Sequence, residues 1–308
     1  MYVMKYFLLT LLTFSQLLAG DMIELYHCYG NDRTLLVAGR ILDPREIPEV
    51  KRNDSFLTNL WRKLGYIFND ERKNVPVTLR VRERTFETRT DDEGYFAFEV
   101  TFPPGILKTY EKVTLFLPRK PEVTTSCKAW IPTSQKQIGI ISDFDDTLII
   151  SDVTYKLKLA YQLLLKNYKQ REAVAGMAER FREILAKSPD KPLFIITGSP
   201  KQFNIVIQKF LNYRHFPKRT LITKQIHGDR SWSPFRQHDY KTEHIERLIA
   251  LYPQIRWVLF GDSGEQDRKI YMKLAKKHPD KIEAIYIRDV KSGKIEKVYP
   301  AKTTPSPL

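Results

Sequence analysis

Through the first half of this chain, apolar and polar residues alternate with a period of two. Phe96, Phe98, Val100 and Phe102 are interleaved with Ala97, Glu99 and Thr101, and the triplets Val77, Leu79, Val81 and Val113, Leu115, Leu117 repeat the pattern. Side chains of a strand point alternately to its two faces, so this pattern predicts half-buried strands. Asp91-Asp92-Glu93-Gly94 supplies a turn between two of them. Over 53–66 the period lengthens, and Phe56, Leu57, Leu60 and Leu64 fall on one side of a helix inserted between strands. The pattern changes again at 137. Short apolar runs predict strands over 137–142, 192–197, 220–223, 256–260 and 282–287, separated by helices over 153–169, 173–187, 200–211, 241–251 and 264–277. Alternating strands and helices predict an α/β domain with a parallel sheet covered on both faces. The strands before 137 predict a small β-sandwich-like domain. Pro121, Pro132 and the polar stretch Thr133-Ser134-Gln135-Lys136 divide the two. The expected organisation is a β-rich domain over 21–133, an α/β domain over 134–299 and a disordered tail over 300–308.

Residues 1–20 follow neither pattern. Lys5 is the only charge before Asp21, and the apolar run Tyr6–Leu18 leads into Ala19-Gly20. A positive start, an apolar core and small residues form a secretory signal peptide; an N-terminal core helix or membrane anchor is the other reading. A signal peptide implies export to a periplasm or outside the cell. No second long apolar run follows, so no transmembrane helix is evident after it. Export bears on Cys28 and Cys127, the only two cysteines. In an oxidising compartment the pair could form a disulfide; two free buried thiols are the alternative.

A hydrophobic content of 42% and a charged content of 28% belong to an ordinary globular protein and argue against a low-complexity chain. The charge is unevenly spread. Residues 1–133 hold 19 Lys+Arg and 17 Asp+Glu, a net of +2, whereas 134–308 hold 32 and 19, a net of +13. The excess on the α/β half attracts anionic partners, among them phosphate esters, anionic lipid surfaces and nucleic acid, or serves only solubility.

Candidate chemistry lies at the predicted strand ends. Gly139-Ile140-Ile141-Ser142 runs into Asp143-Phe144-Asp145-Asp146-Thr147. Clustered acids after a buried strand repel one another. A hard divalent cation relieves that repulsion, and Mg²⁺ favours one or two carboxylates with phosphate oxygens. Phe194-Ile195-Ile196 runs into Thr197-Gly198-Ser199-Pro200, with Ser199 as an expected N-cap and Pro200 as the first helical residue. Helix N-termini bind phosphate readily. Trp257-Val258-Leu259-Phe260 runs into Gly261-Asp262, and Ser263 and Gln266 form a capping-box pattern before Asp267. Lys241 is expected to open the preceding helix. A cation is unfavourable at that position, which favours an anion-binding role for it.

This set, in this order, resembles the haloacid-dehalogenase superfamily of phosphotransferases. The first motif is Asp143-Phe144-Asp145-Asp146-Thr147, the second Thr197, the third Lys241, and the fourth Asp262 with Asp267. More narrowly, these segments resemble the phosphatidate phosphatase catalytic-domain family associated with yeast actin patches and its bacterial relatives. So do Gly176-Met177 and Ala284-Ile285-Tyr286-Ile287-Arg288-Asp289, together with Gly39-Arg40 and Asp92-Glu93-Gly94-Tyr95-Phe96 in the first half. The second motif departs from the family's serine run. The resemblance implies a Rossmann-like sheet with a helical cap at about 148–191. It implies that Asp143 is the nucleophile, that Asp145 is the general acid and base, and that Thr197, Gly198 and Lys241 hold phosphate. It also implies Mg²⁺ on Asp143, Asp145 (through its carbonyl) and Asp262, with Asp267 either a further ligand or the residue that orients the metal's waters. The implied substrate is a phospholipid phosphate ester, with an anionic membrane as a second partner and nucleic acid set aside. Lys156, Lys158, Lys166 and Lys169 on the first cap helix, and His227, Arg230, Trp232, Phe235, Arg236 and His238 in the loop 224–240, are candidates for surface and substrate contacts. A phosphatase for soluble or nucleic-acid esters, and a non-catalytic anion- or membrane-binding protein, are the competing readings.

Overall fold

The computed structural model describes residues 21–43, 50–67, 72–150, 166–224, 237–264 and 266–300. The expected signal peptide, Lys156, Lys158, residues 225–236 and the tail 301–308 lie outside the described residues, as does the side chain of His238. The chain divides into two compact units, Met1–Glu49 with Leu64–Ile131, and Val50–Lys63 with Pro132–Leu308.

The first unit holds two antiparallel sheets. Strands β1 (Met22–Gly30), β2 (Thr34–Leu42) and β5 (Tyr95–Thr101) form one, in the order β1-β2-β5. The other, ordered β4-β3-β6-β7, comprises β3 (Pro76–Val81), β4 (Arg84–Arg89), β6 (Glu111–Leu117) and β7 (Lys120–Ala129). The alternating residues read from the sequence, Val77, Leu79, Val81, Phe96, Phe98, Val100, Val113, Leu115 and Leu117, join a single buried cluster fed by both sheets. Gly39 pairs with Phe96 across β2 and β5, and a Cβ there would stand 2.5 Å from the Glu24 carbonyl and 2.6 Å from the Phe96 ring. The neighbouring Arg40 is buried, donates to the Glu93 carbonyl at 2.9 Å and lies over the Tyr95 ring. Cys28 of β1 and Cys127 of β7 are joined as a disulfide.

The second unit is built on a six-stranded mixed sheet, ordered β10-β9-β8-β11-β12-β13. Its strands are β8 (Gln137–Ser142), β9 (Leu193–Pro200), β10 (Thr220–Lys224), β11 (Ile255–Asp262), β12 (Ile282–Arg288) and β13 (Ile295–Tyr299). The first five run parallel, and β13 lies antiparallel at the edge, a strand not anticipated from the sequence. The helices of this half are α2 (Met177–Leu185), α3 (Asn204–Tyr213), α4 (Gln237–Leu251) and α5 (Asp267–Lys277). Phe181 of α2 packs on Phe216 and Phe260, and Trp257, Phe194 and Tyr252 cluster near the start of β11.

Helix α1 (Phe56–Ile67) belongs to the stretch expected within the β-rich domain, yet Val50–Lys63 clusters with the second unit. Polar contacts explain the difference. Asn59 is buried and donates to Gln170 at 2.8 Å, and Asn167 donates to Asn59 at 3.1 Å and to the Lys51 carbonyl at 2.8 Å. Gln170 in turn donates to the carbonyls of Arg52 and Asp54.

Candidate active site

The order of the sheet places a site before any side chain is considered. From β8 the chain moves outward through β9 to β10, and β11, on the other side of β8, leads to β12. Ligands of open parallel sheets bind beyond the carboxyl ends of the strands at such a reversal. Asp143 directly follows β8 and Asp262 ends β11, so the two acids stand on the adjacent strands where the order reverses.

The loop after β8 is fixed by its backbone. Asp143 donates its N–H to the Phe260 carbonyl at 2.9 Å, and Leu148 donates to the Phe144 carbonyl at 3.0 Å. Phe144 is buried edge-to-face against Phe210. Asp146 has a φ of 54°, in the left-handed region that Asp tolerates better than most side chains, and its carbonyl accepts from Arg288 at 2.8 Å. This turn leaves Asp143 and Asp145, both buried, on the two sides of Phe144.

Each acid meets a different set of partners. Lys241, itself buried, places its ammonium 2.9 Å from Asp143 Oδ1 and 2.6 Å from Asp267 Oδ1. Asp143, Asp262 and Asp267 each bring a carboxylate oxygen into a group whose members lie within 4.8 Å of one another. Carboxylates held this close repel one another, and the Lys241 ammonium offsets part of that repulsion. That all-oxygen donor set fits a hard divalent cation of the Mg²⁺ type. Gly261 permits the close approach, since a Cβ there would stand 2.6 Å from both Cβ and Oδ2 of Asp267. Tyr271 donates to the Phe260 carbonyl at 3.1 Å, and burial, with Asp267 close by, pushes its phenol well above its ordinary range.

Asp145 faces β9 instead. Thr197 Oγ1 donates to its Oδ2 at 3.0 Å and Ser199 Oγ at 3.1 Å. Its carboxylate is not part of the three-acid group. The motif residues thus form two connected sets on one loop, Asp143 with Lys241, Asp262 and Asp267, and Asp145 with Thr197 and Ser199. Gly198 links the last two at the end of β9.

Three local expectations are corrected. Ser199 is not an N-cap, because β9 extends through Pro200 and a 3₁₀ turn over Lys201–Phe203 precedes α3. Its hydroxyl is directed to Asp145, which outcompetes the cap. The Ser263–Gln266 capping box does not form: α5 begins at Asp267 without a side-chain cap, and Ser263 Oγ accepts from Val290 N–H at 3.1 Å. Lys241 does not open its helix either, since α4 starts at Gln237 and Lys241 lies one turn in. Its side chain is held by Asp143 and Asp267 rather than by the helix end.

Two cations were not singled out from the sequence as parts of this site. Arg288 steadies the Asp146 turn. Arg171 is buried beside the same loop, where Ile150 donates to the Glu172 carbonyl and Val174 to the Leu148 carbonyl. Burial lowers the Arg171 pKa, and Asp145 and Asp146 oppose that shift. No local signal marks Arg171 in the sequence, because its neighbours lie more than twenty residues away.

Residues 138–289, which carry all of these groups, match the family model described as the catalytic domain of phosphatidate phosphatase APP1. Phosphatidate phosphatase APP1 of Saccharomyces cerevisiae is 28% identical over 152 residues, covering 49% of this chain and 26% of that protein. An uncharacterized protein of Schizosaccharomyces pombe is 26% identical over 218 residues, covering 67% of this chain and 35% of its own length. The chain therefore spans about a quarter to a third of the curated relatives it matches. Among solved structures, a carbohydrate acetylesterase from Xanthomonas citri aligns over 88% of this chain and 68% of its own at 9% identity, with a TM-score of 0.26, which is too low to carry an argument. These 152 of the 308 residues are thus similar to the phosphatidate phosphatase APP1 catalytic domain.

Proposed function

We propose that this protein is a Mg²⁺-dependent phosphatase that hydrolyses a phospholipid phosphomonoester, phosphatidate first among them. The observation that carries the reading is the buried group of Asp143, Asp262, Asp267 and Lys241 at the point where the strand order reverses, within the family match. In this reading Asp143 attacks phosphorus, its carboxylate oxygen forming the new P–O bond as the ester oxygen leaves. Asp145, held by Thr197 and Ser199, gives its proton to that leaving oxygen. It then takes a proton from the water that hydrolyses the aspartyl-phosphate. Lys241 keeps Asp143 oriented and, with Gly198, offers donors to the phosphoryl oxygens, and Thr197 acts there through Asp145, to which its hydroxyl donates. Asp143, Asp262, Asp267 and the Asp145 carbonyl are the ligands proposed for Mg²⁺, which when bound neutralises developing charge on the phosphoryl group.

The apolar run after Lys5 supports export, with a mature chain beginning near Asp21. N-terminal sequencing of the secreted or periplasmic fraction tests that; Met1 on the mature protein would contradict it. Substrate class is tested by phosphate release from phosphatidate in mixed micelles and from soluble esters, with Mg²⁺ or EDTA. Phosphatidate turnover that EDTA abolishes is the expected result. Good turnover of soluble esters with phosphatidate left intact would favour the soluble-ester reading.

A further inference from the structure

Helix α1 reverses the usual arrangement of a surface helix. An amphipathic helix ordinarily turns its apolar stripe inward. Among the described side chains of this helix, those of 56–61, the buried one is the polar Asn59, tethered by Asn167 and Gln170, while Phe56, Leu57 and Trp61 are 59%, 53% and 74% exposed. At 100° per residue Phe56, Leu57, Leu60 and Trp61 occupy one arc, and Asn59 lies well outside it. Among the described residues only six large hydrophobic side chains are exposed, and these are the three most exposed of them. A fourth is Tyr213, whose ring meets Tyr168 on the stretch that carries Asn167 and Gln170. Clustered exposed apolar residues of this size mark an interaction surface rather than a random surface position.

The charge beside the patch identifies its partner. Lys51 and Arg52 precede the helix and are exposed. Arg52 also lines a cleft of about 450 Å³ with Lys169, Gln170, Glu172, Ala173 and Arg214, three cations against one acid. Arg214 lies over the Tyr213 ring. Apolar anchors containing Trp and Tyr, bordered by Lys and Arg, complement the boundary between acyl chains and anionic headgroups. We infer that the outer face of α1 docks on an anionic lipid bilayer, with Phe56, Leu57 and Trp61 entering the interface and Lys51, Arg52, Lys169 and Arg214 meeting the headgroups. The inference deepens the proposed phospholipid reading, because it presents the catalytic unit to a substrate that stays in a membrane.

The test uses the full chain and vesicles of phosphatidylcholine, with or without 20 mol% of an anionic phospholipid. Trp61 fluorescence, read as the difference between wild type and Trp61→Phe, should shift to the blue and be quenched by brominated acyl chains on anionic vesicles. Leu57→Gln/Trp61→Gln should weaken vesicle binding by about tenfold or more. Lys51→Gln/Arg52→Gln should weaken it by about fivefold per charge, with the loss disappearing in high salt. Hydrolysis of a soluble phosphate ester should be unchanged in both variants. Absence of bromine quenching at Trp61 would overturn the inference, as would vesicle binding by Leu57→Gln/Trp61→Gln equal to wild type. So would a stable dimer that Trp61→Gln dissociates while vesicle binding persists. If wild type docks through Trp61 but releases no phosphate from any ester, the docking surface stands and the proposed activity falls.

Discussion

Asp143 and Asp145 lie two residues apart but have different surroundings, and substitutions should separate them. Asp143→Asn keeps the shape of the site and removes the proposed nucleophile, so phosphate release should fall to background while the fold is retained. Asp145→Asn removes both proton transfers proposed for it and should cost about 10²–10⁴-fold in kcat. Ser199→Ala removes one of the two hydroxyls that hold Asp145 Oδ2 and should lower kcat less than Asp145→Asn does, with Thr197→Val/Ser199→Ala worse than either alone. Steady-state phosphate release orders the series, and a Ser199→Ala enzyme equal to wild type would remove Ser199 from the site. Lys241→Met leaves Asp143 and Asp267 buried without their shared ammonium. It should destabilise the chain in EDTA by about 3–5 kcal/mol, read by urea denaturation. At this scale much of the candidate site was legible in the sequence, because Asp143, Asp145, Thr197 and Asp262 each lie at the end of an apolar run that reads as a strand, with Asp267 five residues beyond Asp262. Ser199 was recognised as polar and misplaced as a cap, since a hydroxyl before a proline satisfies the rule for a helix start equally well. Arg171 and Arg288 were not singled out, because their meaning depends on a loop that the fold brings to them.

Among the elements, the five parallel strands were expected within a few residues because each is a compact apolar run. The edge strand β13 was not, since Ile295–Tyr299 carries two charges and no buried residue, a composition that reads as loop. Helix α1 was expected as a helix, and Ser55 begins it as a cap residue should, accepting from Thr58 N–H at 3.2 Å. What the periodicity did not give is which face is covered, because apolar spacing fixes an arc and not what lies against it. A single amide decides the matter here. Asn59→Ala removes the two side-chain bonds that tie the helix to Asn167 and Gln170 and leaves those amides their backbone partners alone, at about 1–3 kcal/mol. Hydrogen exchange over 50–63 should then accelerate while β8 and β11 keep their protection. Equal acceleration in the sheet would mean that the helix is integral to the core.

For the whole molecule, two compact units with separate cores should respond to different agents. The disulfide between Cys28 and Cys127 closes a sequence separation of 99 residues within the first unit, so reduction should destabilise that unit by about 2–5 kcal/mol. Mg²⁺ should stabilise only the second unit, and EDTA should reverse the effect. Calorimetry with each agent in turn should move one transition at a time, and a single transition moved by both would show that the units unfold together. Division into a β-rich half and an α/β half was readable from the change of period near 137. The return of residues 50–63 to the later half was not, because it rests on Asn59 meeting Asn167 and Gln170, which lie more than a hundred residues further along the sequence. The chain consequently crosses between its units three times, at 49/50, 63/64 and 131/132. No single cut separates the halves. A fragment beginning at 132 would carry the whole acidic site yet leave Asn167 and Gln170 without the strip they hold, so recombination breaking the gene there would pass on an incomplete α/β half. The two halves are bound into one heritable piece by fourteen residues that belong to the first by sequence and to the second by position.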